Sequence, residues 1–184
     1  MILGDREEVL FGNGYIEDVY ATGQIVSNAN YVGGIAGYGS AKISRAWSAV
    51  DIATELDYVG GIYGFRETSS NKNTFVAGSI YSSYNGLNIN RTFGNSVSTQ
   101  MGYFAWDGQK VYGLITEESQ IEELLSLEDL SDKDTYIERI GLGNQFDYSD
   151  LTDGKMPKLK NIDTGELLAN QNDYKLIVET INVD

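Results

Sequence analysis

Few residues in this 184-residue chain have the chemistry for catalysis. It contains no histidine and no cysteine, which leaves zinc without its usual ligands and rules out Cys–His and Ser–His nucleophiles. Carboxylates are the main resource left, and there are 27 acidic residues. Cleavage of a sugar linkage needs two of them held at a fixed separation. On a repeating chain this calls for acids at matching positions of successive repeats. Asp51 is matched by Gln24 and Ser79, and Asp57 by Asn30, so no carboxylate column forms. In "DYSDLTDG" (Asp147 to Gly154) the acids are spaced by three, where a calcium loop uses alternate positions. That stretch reads as a polar turn. "GYGSAK" lacks the spacing of a phosphate-binding loop, and Gly12-x-Gly14 is followed by Glu17 where a dinucleotide site needs a third glycine. The expectation is therefore a non-enzyme with no catalytic residue, no metal and no cofactor. Asn90-Arg91-Thr92 matches a glycosylation sequon, a pattern expected once by chance at this length.

Recognition chemistry is better represented. Tyr20, Trp47 and Phe75 fall at equivalent places in successive repeats, as do Tyr31 and Tyr58. Equivalent residues of stacked coils lie above one another. Each set is therefore an aromatic column, which either packs internally or offers a platform to a sugar or a protein. These five are the candidate binding residues. Asp18 matches Arg45, a cross-repeat ion pair of small energetic value if exposed.

The elements that position these residues follow from the repeat. "YVGGIAGY" at Tyr31 to Tyr38 returns as "YVGGIYGF" at Tyr58 to Phe65, a spacing of 27. The match extends to Ile16 with Ile43, Tyr20 with Trp47, and Ile25 with Ile52; Phe75 to Ile80 give a third copy in degraded form. Leu10, Phe11 and Gly12 echo Ile35, Ala36 and Gly37. Small residues with one isoleucine on a strand face suit the narrow interior of a β-coil, and one coil buries its apolar face only by stacking on another. The fold expected is all-β, a short β-solenoid of about three coils. Gly33, Gly34 and Gly37, with Gly60, Gly61 and Gly64, are read as corner glycines, there for positive φ or close backbone approach. In the third copy Arg91 to Asn95 ("RTFGN") replaces the double glycine.

Two hairpins are expected, at Asn85-Gly86 and at Asp107-Gly108, the latter joining Tyr103–Trp106 to Gln109–Tyr112 and closing the solenoid. Beyond it Ile121, Leu124, Leu125 and Leu127 recur at helical spacing, with Ser119 and Glu122 as a capping box. This predicts residues 1–112 as solenoid with closing hairpin, and 113–184 as a cap with one amphipathic helix and an extended exit.

The net charge of −14 is concentrated in the cap: residues 1–112 carry −3 and residues 113–184 carry −11. Such a chain repels nucleic-acid backbones and anionic membrane surfaces. No apolar run approaches the ~18 residues that span a bilayer, and the first residues, acidic by Asp5, are not a signal peptide. Absence of cysteine suits the cytosol and also bacterial surface proteins that do not use disulfides. The chain is either cytosolic or a piece of a longer exported protein, and is expected to be monomeric.

"GYIEDVYATGQIVSNANYVGGIAGY" resembles the GLUG repeat of large bacterial surface proteins, its strongest parts being "YATG" and "YVGGIAG" in two copies. "TYIERIGLGNQFDYSDLTDGKMPKLKN" and "WDGQKVYG" are similar to segments of Gram-positive immunoglobulin A1 proteases, zinc metalloproteases. The resemblance covers most of residues 9–162. It implies a non-catalytic domain of a secreted, cell-wall-attached parent, with zinc in the parent only. The implied partner is immunoglobulin A1 or the parent's catalytic domain. The family's zinc-binding His-Glu-x-x-His helix has no counterpart here. The alternative is a surface adhesin module for host glycan or protein, or a passive spacer.

Overall fold

A computed structural model describes residues 14–67, 71–83, 88–95, 102–112 and 122–162. The repeat spacing becomes strand register. β1 (Tyr15–Ser27) and β4 (Lys42–Thr54) run parallel, from Tyr15 opposite Lys42 to Ser27 opposite Thr54. The next level is split into β7 (Lys72–Val76) and β8 (Ile80–Ser82), both parallel to β4. β9 (Tyr103–Trp106) stacks on β7, and β10 (Val111–Tyr112) on β8. On the opposite side of the coil, β2 (Val32–Gly33) pairs with β5 (Val59–Gly60), and β3 (Ala36–Gly39) with β6 (Tyr63–Arg66), again parallel. The chain is a parallel β-solenoid of about three turns. The third turn is present, with Ile89 bridging to Val59 and Phe93 to Tyr63.

One residue per coil breaks the pleat. Asp18, Arg45 and Asn73 have φ of 53°, 50° and 54°, and the strand pairing skips all three. The extra left-handed residue shifts the alternation, so that Ile43 and Ala46, three apart, both point into the coil and are fully buried. The expected ion pair lies on this column. Arg45 Nε is 2.7 Å from Asp18 Oδ1 and its Nη2 is 3.0 Å from Glu17 Oε2, all three side chains partly exposed.

Two expectations for the end of the solenoid are corrected. Residues 103–106 and 111–112 do not pair with each other: Gln109 N–H closes a tight turn on Trp106 O at 3.0 Å, and both strands then extend the parallel stack. The open edges of β7 and β8 bind two consecutive short strands more favourably than a hairpin folded on itself. The antiparallel pair lies further on, between β12 (Phe146–Asp147) and β13 (Lys158–Leu159). The second correction concerns the helix. Leu124 and Leu125 belong to β11 (Glu123–Leu125), the last rung on β9, and Glu122 Oε1 accepts the Thr92 N–H at 3.0 Å. The helix is α1 (Leu127–Leu130), and its capping box is Ser126 with Asp129. The Ser126 hydroxyl, then the Ser126 N–H and Arg139, hold the Asp129 carboxyl down at about 2. Its contribution to stability is therefore present above the ordinary carboxylate range and is lost as pH falls from about 4 to 2. Ser119, Ile121, the Asn85-Gly86 turn, the Leu10–Gly12 echo and the exit after residue 162 lie outside the described residues.

A π-helical turn, Thr135–Ile140, follows α1, and together with β12 and β13 it covers the outer face of the β4–β7–β9 sheet. Leu125, Leu130, Tyr136, Ile140, Leu142, Phe146, Leu151 and Met156 share one core with Trp47, Ala49, Phe75 and Phe104. This cluster unites residues on both sides of position 112.

Candidate functional site: a surface aromatic cluster

The two aromatic columns have different environments. Tyr20 stacks on Trp47 with centroids 4.8 Å apart and planes 9° from parallel, so that ladder exists as the repeat predicts. It faces the cap rather than solvent. Trp47 and Phe75 have no exposed surface. Trp47 Nε1 donates to Pro157 O at 3.1 Å, and Phe75 meets the buried Tyr136 ring edge-on at 6.5 Å. Burial pushes the Tyr136 hydroxyl well above its ordinary range. As a binding platform, Trp47 and Phe75 are unavailable, and Tyr20 is partly buried against the same cluster. The cap takes the column because large rings on an otherwise small-residue sheet face give the acidic C-terminal region its best apolar partner.

Tyr31 and Tyr58 stay at the surface, and the structure adds two rings to them. β2 and β3 fold back across the Gly33–Ile35 corner, so Tyr31 at the start of one meets Tyr38 on the other; one coil on, Tyr58 meets Phe65 the same way. Tyr31 lies 5.2 Å from Tyr58 and 5.6 Å from Phe65, Tyr38 stacks on Phe65 at 5.4 Å and 14°, and Tyr58 meets Phe65 edge-on at 5.2 Å. Tyr31 is 38% exposed, and Tyr38, Tyr58 and Phe65 are half-buried. Tyr38 and Phe65 were legible as candidates, since they end the repeated phrase at the same spacing of 27.

The backbone beneath is unusual. Tyr31 and Tyr58 have φ of 64° and 61°, while the glycines that follow them are not left-handed. The paired glycines serve close approach alone. A Cβ at Gly33 would lie 2.0 Å from Ala36 O, and at Gly64 2.3 Å from Tyr31 C. Gly34, Gly60 and Gly61 are similarly crossed by backbone or by the next coil, and Gly37 pairs with the Gly64 level through β3 and β6. In the third turn Gly94 takes the Gly64 role, its would-be Cβ 2.2 Å from Gly64 O, while Asn90 and Arg91 replace the double glycine.

A polar ladder runs beside the rings. Asn30 Oδ1 accepts the Asp57 N–H at 3.2 Å, and Asp57 in turn accepts from Tyr58 N–H at 2.9 Å and from Asn88 Nδ2 at 2.8 Å. The Tyr38 hydroxyl donates to the Glu67 carboxylate. These bonds fix the loops that carry the tyrosines.

Other candidates serve the fold. Asp147 accepts Ser149 N–H at 3.0 Å, and Asp150 is 3.0 Å from Lys155 Nζ, which makes "DYSDLTDG" a polar turn. Asn90 is 3% exposed and its Nδ2 donates to Gly94 O, so the sequon asparagine is closed to modification in the folded chain. Comparison of the chain with protein-family models, with curated proteins and with solved structures finds no match in any of the three. What stands of the resemblance is its fold, the parallel β-solenoid of about three turns.

Proposed function

We propose that this chain is a non-catalytic recognition domain and that its contact surface is the Tyr31–Tyr38–Tyr58–Phe65 cluster. One observation carries the reading: four packed aromatic rings keep solvent-exposed surface, Tyr31 and Tyr58 just ahead of β2 and β5 and Tyr38 and Phe65 on β3 and β6, on backbone held by hydrogen bonds between coils. Rigid aromatic anchors lose little entropy on binding and dominate interface energetics. Tyr38 and Phe65 stack face to face, and Phe65 also meets Tyr31 and Tyr58 edge-on, so ring faces are largely spent within the cluster. Such a surface favours a protein partner over a sugar, which needs a free ring face. The repeat resemblance supplies the parent and the partner: a secreted, cell-wall-associated immunoglobulin A1 protease whose antibody substrate this domain positions.

The test is a biosensor titration of the chain against intact immunoglobulin A1 and its separated Fab and Fc fragments. The expected result is saturable binding to one fragment, weakened at least about tenfold by Tyr31→Ala, a loss of ~1.4 kcal/mol. Absence of binding up to about 50 μM, an association weaker than ~6 kcal/mol, would overturn the antibody as partner. A positive screen against host glycans or other host proteins would then favour the adhesin reading.

A further inference from the structure

Arg66 sits on β6 between two residues that face outward: Phe65, in the aromatic cluster, and Glu67, engaged by the Tyr38 hydroxyl. Strand alternation turns Arg66 inward, and it is only 4% exposed. Its guanidinium carbon lies 3.9 Å from the Phe93 ring centroid and 5.3 Å from that of Tyr103. Nη1 donates to the Tyr103 hydroxyl at 2.9 Å, which donates in turn to Asn71 O at 2.9 Å. Nη2 is buried and has no hydrogen-bond partner. Among the described residues no carboxylate pairs with Arg66. Asn71, 1% exposed, accepts the Ile43 N–H through Oδ1 at 2.6 Å, and its Nδ2 likewise has no partner.

Among the described residues, Arg66 and Asn71, joined through the Tyr103 hydroxyl, thus form a buried cluster with a positive charge and two donor groups without acceptors. A buried unpaired charge is strongly unfavourable, and stacking on Phe93 offsets part of that. Water would satisfy donors but not charge. A single small anion would do both, accepting from Nη2 and Nδ2 while neutralising the guanidinium. We propose that Arg66 and Asn71 form a buried site for one small monovalent anion of the size and charge of chloride. One guanidinium balances one negative charge, and burial at this corner selects against bulky or divalent ions.

Thermal unfolding of the full chain in sodium chloride and in sodium gluconate, at equal ionic strength, is the test. The expected result is a Tm that rises with the logarithm of chloride concentration over about 1–300 mM, as for a ligand bound only by the folded state. Bromide should substitute and gluconate should not. Arg66→Met should remove the dependence, and so should Asn71→Asp, which keeps the acceptor for Ile43 N–H and supplies a carboxylate in the anion's place. Equal Tm in chloride and gluconate, or an unchanged chloride response in Asn71→Asp, would overturn the proposal. Should Arg66→Met fail to fold, bromide-containing crystals of the unaltered chain decide: an anomalous peak beside Arg66 is expected, and no peak there is a refutation.

Discussion

Tyr31 and Tyr58 combine a bulky ring with a left-handed backbone, at φ of 64° and 61°. For a residue with a Cβ this conformation costs roughly 1–2 kcal/mol. It persists because both sides of the residue are tied down: Tyr31 N–H donates to Asp57 O at 3.2 Å, and Val32 N–H to Tyr58 O at 3.0 Å. The ring packing across coils offsets the remainder. A sharp expectation follows for Tyr58. Both Tyr58→Ala and Tyr58→Gly lose the ring, but only alanine keeps the strain, so the glycine variant should be the more stable by about 1 kcal/mol. This reverses the usual order of the two residues in a strand. Urea denaturation compares them directly, and an alanine variant as stable as the glycine variant would show that the left-handed turn carries no strain.

At the scale of elements, the repeat made most of the architecture readable. A spacing of 27 predicts Tyr20 over Trp47 and Ile25 over Ile52, and those residues are partners in the β1–β4 ladder. The reason for the double glycine was half legible. Sequence offers positive φ and close approach as equal explanations, and only the fold shows the left-handed position two residues before the first glycine of each pair, on tyrosine. The end of the solenoid was misread for a physical reason. Leu124, Leu125 and Leu127 have helical spacing, but an open strand edge at Phe104–Trp106 competes for the same segment and takes Glu123–Leu125. Long-range pairing of that kind leaves no local mark. The close-approach reading makes its own prediction. Gly64→Ala places a Cβ 2.3 Å from Tyr31 C and 2.5 Å from Val32 N, both backbone atoms that cannot rotate away. It should cost more than ~3 kcal/mol, at the upper end of overpacking changes. Gly14→Ala, whose Cβ would meet only Ala41 Cβ at 3.6 Å, should stay within about 0.5 kcal/mol of the parent. Chemical denaturation of the pair checks both, and a mild Gly64→Ala would mean that the β2–β6 crossing can open.

Across the molecule, the two repeated aromatic positions were put to different uses. Trp47 and Phe75 became the seat of the cap, while Tyr31 and Tyr58, on the other side of the coil, stayed at the surface. Charge distribution fits this division. The described part of the cap lays an apolar inner face on the rings, and Glu123, Glu128, Asp132, Asp134 and Glu138 stay exposed on its outside. Trp47 is the keystone: it is fully buried, it stacks on Tyr20, and its indole N–H holds Pro157 O. If solenoid and cap are one cooperative unit through this core, the whole chain unfolds in a single transition, since separating them would expose both faces of a shared interior. Trp47→Ala should cost about 3–5 kcal/mol, and hydrogen exchange should rise first in residues 127–160, where the cap loses its anchor. Binding through Tyr31 and Tyr58 should survive at low temperature, because that cluster rests on coil-to-coil hydrogen bonds that Trp47 does not touch. Two separate unfolding transitions in the unaltered chain, or equal loss of binding in Trp47→Ala and Tyr31→Ala, would mean that the two sides of the coil are not independent in the way their contacts imply.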